Sequence, residues 1–140
     1  MLDNKLVIDI PKGMEVDVEK SDLKAGIIAF KKKEISYADV LSALAGKGVC
    51  PADIKVPEMI AGKIIALARL MTIAKYYNGD WKPDWNSQEY KHNIMRTSEY
   101  GITSCGNYNE GAIYFKNKED AQAVIDNPNF RSILDAIYKD

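Results

Sequence analysis

Short apolar runs rich in β-branched residues, separated by turn residues, mark the first 34 residues of the chain. Lys5-Leu6-Val7-Ile8-Asp9-Ile10 is rich in β-branched residues and stops at Pro11-Lys12-Gly13, which predicts a strand and a turn. Met14 to Glu19 alternates apolar and acidic residues, which fits either a short strand or an extended edge. Gly26-Ile27-Ile28-Ala29-Phe30-Lys31 predicts a second strand, with Lys31, Lys32, Lys33 and Glu34 as its solvated end.

The period then changes. Ser36 with Asp39 three residues later predicts a helix N-cap, followed by the short apolar stripe Val40, Leu41 and Leu44 and ended by Gly46 and Gly48. Residues 47–56 form a linker or loop containing Pro51. Pro57 opens the longest helix, in which Ile60, Ile64, Leu67, Met71 and Ala74 recur at helical spacing. Ala66, Leu70 and Tyr77 widen the stripe, and Ile65 and Ile73 lie on the other side. Such a helix is mostly buried or carries a partner on its outer face. Asn78-Gly79 ends it.

Pro83 keeps Asp80 to Asn86 out of any helix. Tyr90 to Thr97 predicts a strand, Tyr100 to Ser104 a weaker one and Gly111 to Lys116 a strong one. Asn117 caps a helix carrying Ala121, Val124 and Ile125. Asn127-Pro128-Asn129 breaks that helix and caps the last, whose face is Phe130, Ile133, Leu134 and Ile137. Strands, helices, strands and helices follow in blocks. That order predicts an α+β fold: an antiparallel sheet with one long buried helix and a C-terminal helix pair packed on one face. The 140 residues fit a single domain, with an N-terminal subdomain at 1–50 as the one place to divide it, before the linker at 47–56.

Composition narrows the function. Hydrophobic residues are 46% and charged residues 28%, an ordinary globular balance. Nineteen Lys and Arg against twenty Asp and Glu leave a net charge of −1, so no global field draws nucleic acid. No apolar run is as long as a membrane span, and the first residues do not form a signal peptide. The reading is a cytoplasmic protein with no membrane partner, in which Cys50 and Cys105 are free thiols.

The chemistry present is sparse. The sole histidine, His92, lies in a predicted strand, so any Ser-His or Cys-His catalysis must use it; a hydrogen-bonded strand side chain is the simpler reading. Cys and His are too few and too irregularly spaced for zinc, and no phosphate loop or nucleophile elbow occurs. No cofactor is implied and no catalytic residue is assigned. Asp80 and Asp84 flank the two tryptophans and suit loop hydrogen bonds better than acid–base work. Trp81-Lys82-Pro83-Asp84-Trp85 is the most unusual segment. Its indoles either plug the seam between helix and sheet or stack on a base, a sugar or a partner side chain. Candidate binding residues are Trp81, Lys82, Asp84 and Trp85, with Lys31, Lys32 and Lys33 as a local basic patch.

Lys5 to Asp17 resembles the I-x-I-P-x-G-Y-E-I-D opening of a family of small proteins of gut Bacteroidales, many encoded by phages, prophages and other mobile elements. Ile28 to Lys32, the Ala66 to Leu70 block, Tyr77 to Trp85 with its W-K-P-D-W, and Tyr114 to Ala121 are similar to later parts of the same pattern. Met14 departs from it where the family has an aromatic, and 46–57 is irregular. The resemblance implies a bacterial or phage accessory protein and carries over no catalytic residue. The expected function is therefore a non-enzymatic cytoplasmic accessory protein acting by contact with another protein or with itself. The alternative is a nucleic-acid-associated binding module using the tryptophan loop and a local basic patch.

Overall fold

The computed structural model describes residues 7–44, 55–108 and 111–139. The chain divides into two compact units, Met1–Glu34 and Ile35–Asp140. The division precedes the 47–56 segment, because the helix that follows Ser36 packs on the long helix of the second unit. Positions 47–54 of that segment lie outside the described residues.

In the first unit, β1 (Met14–Val16) pairs antiparallel with β2 (Phe30–Lys32), with Met14 opposite Lys32 and Val16 opposite Phe30. The strand predicted from Lys5 is not formed where it is described. Val7 and Ile10 are exposed, and among the described residues Val7 to Ile10 forms no strand ladder, so a β-branched composition alone does not make a strand here. The strand predicted at Gly26 to Lys31 is shorter and later. Gly26, at φ +72°, closes a turn in which the Asp22 carboxylate accepts the Lys24 and Ala25 amides. Only a single bridge, Asp22 to Ile27, precedes the ladder.

The second unit contains α1 (Tyr37–Leu44), α2 (Glu58–Asn78), the hairpin β3 (Lys91–Arg96) and β4 (Tyr100–Cys105), α3 (Lys118–Asp126), a 3-10 turn (Pro128–Phe130) and α4 (Arg131–Tyr138). The fold is α+β, with two small antiparallel sheets in place of one. The predicted cap of α1 is reciprocal: the Asp39 amide donates to Ser36 Oγ at 3.1 Å, and the Ser36 amide to Asp39 Oδ2 at 2.8 Å. At the last corner Asn127 Oδ1 accepts the Asn129 amide, while its Nδ2 donates to the Ile35 carbonyl, tying the start of the unit to its end. Asn117 stands at the N-cap of α3, but its amide donates to Asp120 instead of accepting from the helix.

α3 covers β3 and β4, α4 packs on α2, and Tyr138 on α4 donates its hydroxyl to the Ile94 carbonyl of β3. Phe115, Phe130, Leu134, Val124, Leu70 and Ile73 lie at the centre of the resulting core. No helix among the described residues is long and apolar enough to cross a membrane.

Two predicted features differ from the structure, the second only in part. Gly111 to Lys116 is not a strand: Phe115 alone bridges to His92. The adjoining ladder positions are taken by a side chain. Asn78 Nδ2 donates to the Tyr114 carbonyl at 2.7 Å, and its Oδ1 accepts the Lys116 amide at 3.0 Å. The long helix is also buried along one side only. Its core row is Ala66, Leu70, Ile73 and Ala74, where two alanines let neighbouring helices approach. Ile60, Leu67 and Met71, predicted to be part of the buried stripe, lie on the exposed side, Met71 at 57%.

Candidate functional site

The site is built where α2 ends. Gly79 turns the chain at φ +60° and ψ −125°, a conformation that only glycine adopts without strain, and its amide donates to the Lys75 carbonyl. Lys75 Nζ donates to the Gly79 carbonyl at 2.6 Å and stands 3.9 Å from Asp80, so the loop leaves the helix in a fixed direction. Asp84 shapes the next turn, its carboxylate accepting the Asn86 amide at 3.0 Å. This is the backbone role expected of that residue. Lys82 and Asp84 are exposed, and both indoles are half-buried.

The two tryptophans divide the structural and surface roles between them. Trp85 folds inward. Its ring meets Tyr114 edge-to-face with centroids 5.0 Å apart, and the Lys91 amino group lies 5.2 Å from its centroid. Trp81 faces a groove of about 200 Å³ whose walls include Met71, Lys75, Pro83 and Ile113. Met71 also closes the outer row Ile60, Ile64, Leu67 and Met71 of α2. That row rises about 16 Å along the helix and runs into the tryptophan groove. Ala68 flanks it on one side and is exposed.

Lys91 was not distinguishable in the sequence. It is 1% exposed, and its Nζ donates to the carbonyls of Ser87 at 3.0 Å and Gly106 at 2.8 Å. A lysine at a strand start ordinarily reads as solvated. Only the fold brings it under Trp85.

Lys31, Lys32 and Lys33 belong to the first unit, not to the unit that carries the tryptophans. All three are exposed, and Lys31 stands 3.7 Å from Glu15 across the ladder. Cys105, at the end of β4, is a buried free thiol, and Cys50 lies outside the described residues. Among the described residues no three His, Cys, Asp or Glu side chains stand together as metal ligands.

His92 faces Ser104 directly across the hairpin, with Nδ1 2.7 Å from the hydroxyl oxygen. The pair lines neither this groove nor the cleft described below. Burial first, then the nearby Lys118 charge, hold the His92 pKa below its ordinary value, with Glu119 opposing. Folding therefore favours the neutral ring. Its stabilisation is complete above the unfolded value of about 6.5 and is lost as pH falls from there through the lower folded value. His92→Gln is expected to keep the fold and to flatten the fall in urea midpoint on moderate acidification. Parent and variant midpoints that fall in parallel would rule out this account.

No protein-family model, curated protein or solved structure matches the chain.

Proposed function

We propose that the chain acts without catalysis, as an accessory protein that grips a segment of another protein along the outer row of α2 and in the groove beside Trp81. The observation that carries this reading is the continuity of the row Ile60, Ile64, Leu67 and Met71 with a groove walled by Trp81 and Pro83. Apolar side chains ordered along three turns of helix, ending in an aromatic pocket, suit a docking surface for an amphipathic segment. The resemblance to small Bacteroidales and phage proteins supports a cytoplasmic accessory role in such a setting.

Charge decides between another protein and a second copy. Lys63 and Lys75 border the row. A two-fold antiparallel pairing that sets Leu67 against Met71 brings Lys63 and Lys75 of both copies to the rims of one apolar seam, where like charges collect. An apolar segment flanked by acidic residues meets the same border favourably. Peptides selected against the full chain from a random displayed library are expected to carry apolar anchors at helical spacing with acidic neighbours. Met71→Glu and Trp81→Ala should abolish their binding while leaving the circular dichroism spectrum intact. Peptides indifferent to both variants would overturn the reading. So would parent self-association that Met71→Glu abolishes, which would assign the face to a second copy. Binding of a single-stranded oligonucleotide lost in Trp81→Ala would favour the nucleic-acid alternative instead.

A further inference from the structure

The turn of the β3–β4 hairpin and the corner between α3 and α4 enclose a second cleft, of about 370 Å³, that shares no residue with the tryptophan groove. This is a volume suited to a small molecule. Its walls carry Arg96, Glu99 and Tyr100 from the hairpin, and Asp126, Arg131 and Lys139 from the helical side.

Two guanidinium groups converge on one ring here. The Cζ atom of Arg131 lies 4.9 Å from the Tyr100 ring centroid, and that of Arg96 lies 5.7 Å from it. The ring is anchored from its other end: Tyr100 donates its hydroxyl to Asp135 at 2.6 Å, and Lys139 stands 3.4 Å from the same carboxylate. Burial, and next the hydrogen bond to Asp135, push the Tyr100 pKa up to about 12, so the ring stays neutral beside the two cations. Arg131 is further held by a hydrogen bond from Nη2 to the Ile125 carbonyl at 3.0 Å.

Among the described residues, neither arginine has a carboxylate within 4.0 Å. Asp135 is engaged with Tyr100 and Lys139, and Asp126 accepts the Gln122 amide at 2.9 Å. Two like charges are therefore oriented beside one cleft with donor capacity to spare. Planar guanidinium forks match the oxygens of a phosphate better than a point charge does. The acids on the opposite account are Glu99 and Asp126. They repel a second anionic group and accept hydrogen bonds from hydroxyls.

We propose that this cleft is a binding site for a sugar phosphate, with a phosphomonoester dianion held by the Arg96 and Arg131 forks that line it and the sugar hydroxyls donating to Glu99 and Asp126. The site is independent of the protein-contact face of α2. It discriminates in favour of a single phosphate on a polyol and against polyanions.

Titration calorimetry on the full chain tests this with ribose phosphate, inorganic phosphate, ribose and pyrophosphate. Ribose phosphate is expected to bind at least about tenfold more tightly than any of the other three, a difference of roughly 1.4 kcal/mol. Arg96→Gln should weaken it by at least about tenfold with an unchanged melting curve, since Arg96 is an exposed strand-end residue. Glu99→Gln should weaken ribose phosphate but not inorganic phosphate. Lys82→Gln, in the tryptophan loop, should change nothing. Arg131 also holds the α3–α4 corner, so the test rests on Arg96 and Glu99. Absence of ribose phosphate binding at millimolar concentration, binding indifferent to Arg96→Gln, or pyrophosphate binding equally well would each overturn the proposal.

Discussion

Phe115→Ala is expected to cost about 3–5 kcal/mol, the range for truncating a buried phenylalanine. Phe115 is fully buried, and its ring lies 6.4 Å from that of Tyr77 at the end of α2. Its backbone makes both hydrogen bonds of the bridge to His92, at 2.7 and 3.0 Å. The side chain thus fills the junction of the hairpin, the long helix and the segment leading to α3. Collapse around the missing ring is opposed because Asn78 pins the flanking Tyr114 carbonyl and Lys116 amide in place. The residual cavity therefore stays open and the cost sits well inside that range. Against a typical stability of about 5–15 kcal/mol, the melting temperature should fall by roughly 10–20 °C, measured by circular dichroism. A fall of only a few degrees would show that the junction repacks and that Phe115 is not central to the core.

The same junction explains what was legible in the sequence and what was not. Most signals carried by neighbours along the chain survived, the side-chain cap expected of Asn117 being an exception. Ser36 and Asp39 form the reciprocal cap that their spacing predicted, Asn127-Pro128 breaks one helix and starts the next, and Ile133, Leu134 and Ile137 are the buried face of α4. Features decided by distant partners did not survive. Gly111 to Lys116 has the composition of a strand, but Asn78, more than thirty residues earlier, occupies the hydrogen bonds a strand partner would have made. Val7 to Ile10 has the same composition and finds no ladder partner among the described residues. The long helix is apolar on both sides of its circumference, so period alone left open which row faces inward. Ala66 and Ala74 settle it, because small residues admit the neighbouring helices and the larger Ile60, Leu67 and Met71 are left outside. For the site, the tryptophan segment was visible as an anomaly of composition. The convergence of Arg96 and Arg131 on Tyr100 was not, since the two arginines are far apart in sequence and each reads alone as a solvated charge.

Lys91→Met is expected to destabilise the chain by about 2–4 kcal/mol and to loosen the tryptophan loop. The estimate comes from opposing terms. The substitution keeps an unbranched stem of similar length, so little packing is lost. It removes two hydrogen bonds to the carbonyls of Ser87 and Gly106. Hydrogen bonds to a charged group contribute about 1.5–3 kcal/mol each. It also removes the cation beside the Trp85 ring, a contact of about 0.5–2 kcal/mol. Relief of the cost of burying an amino group offsets part of this. The offset is incomplete because Gly106 is itself buried, leaving its carbonyl without its donor in a place water does not reach. Ser87 follows the turn that Asp84 shapes, while Gly106 follows β4, so the lysine clasps the tryptophan loop to the hairpin. Losing that clasp should shift the tryptophan emission to longer wavelength and raise quenching by iodide, in a protein whose circular dichroism is otherwise native. Arginine should not rescue it, since a planar fork cannot occupy the point where two carbonyls converge on one nitrogen. If Lys91→Met is as stable as the parent with unchanged emission, the loop is held by the Trp85–Tyr114 contact alone. The buried lysine would then contribute nothing to placing Trp81 at its groove.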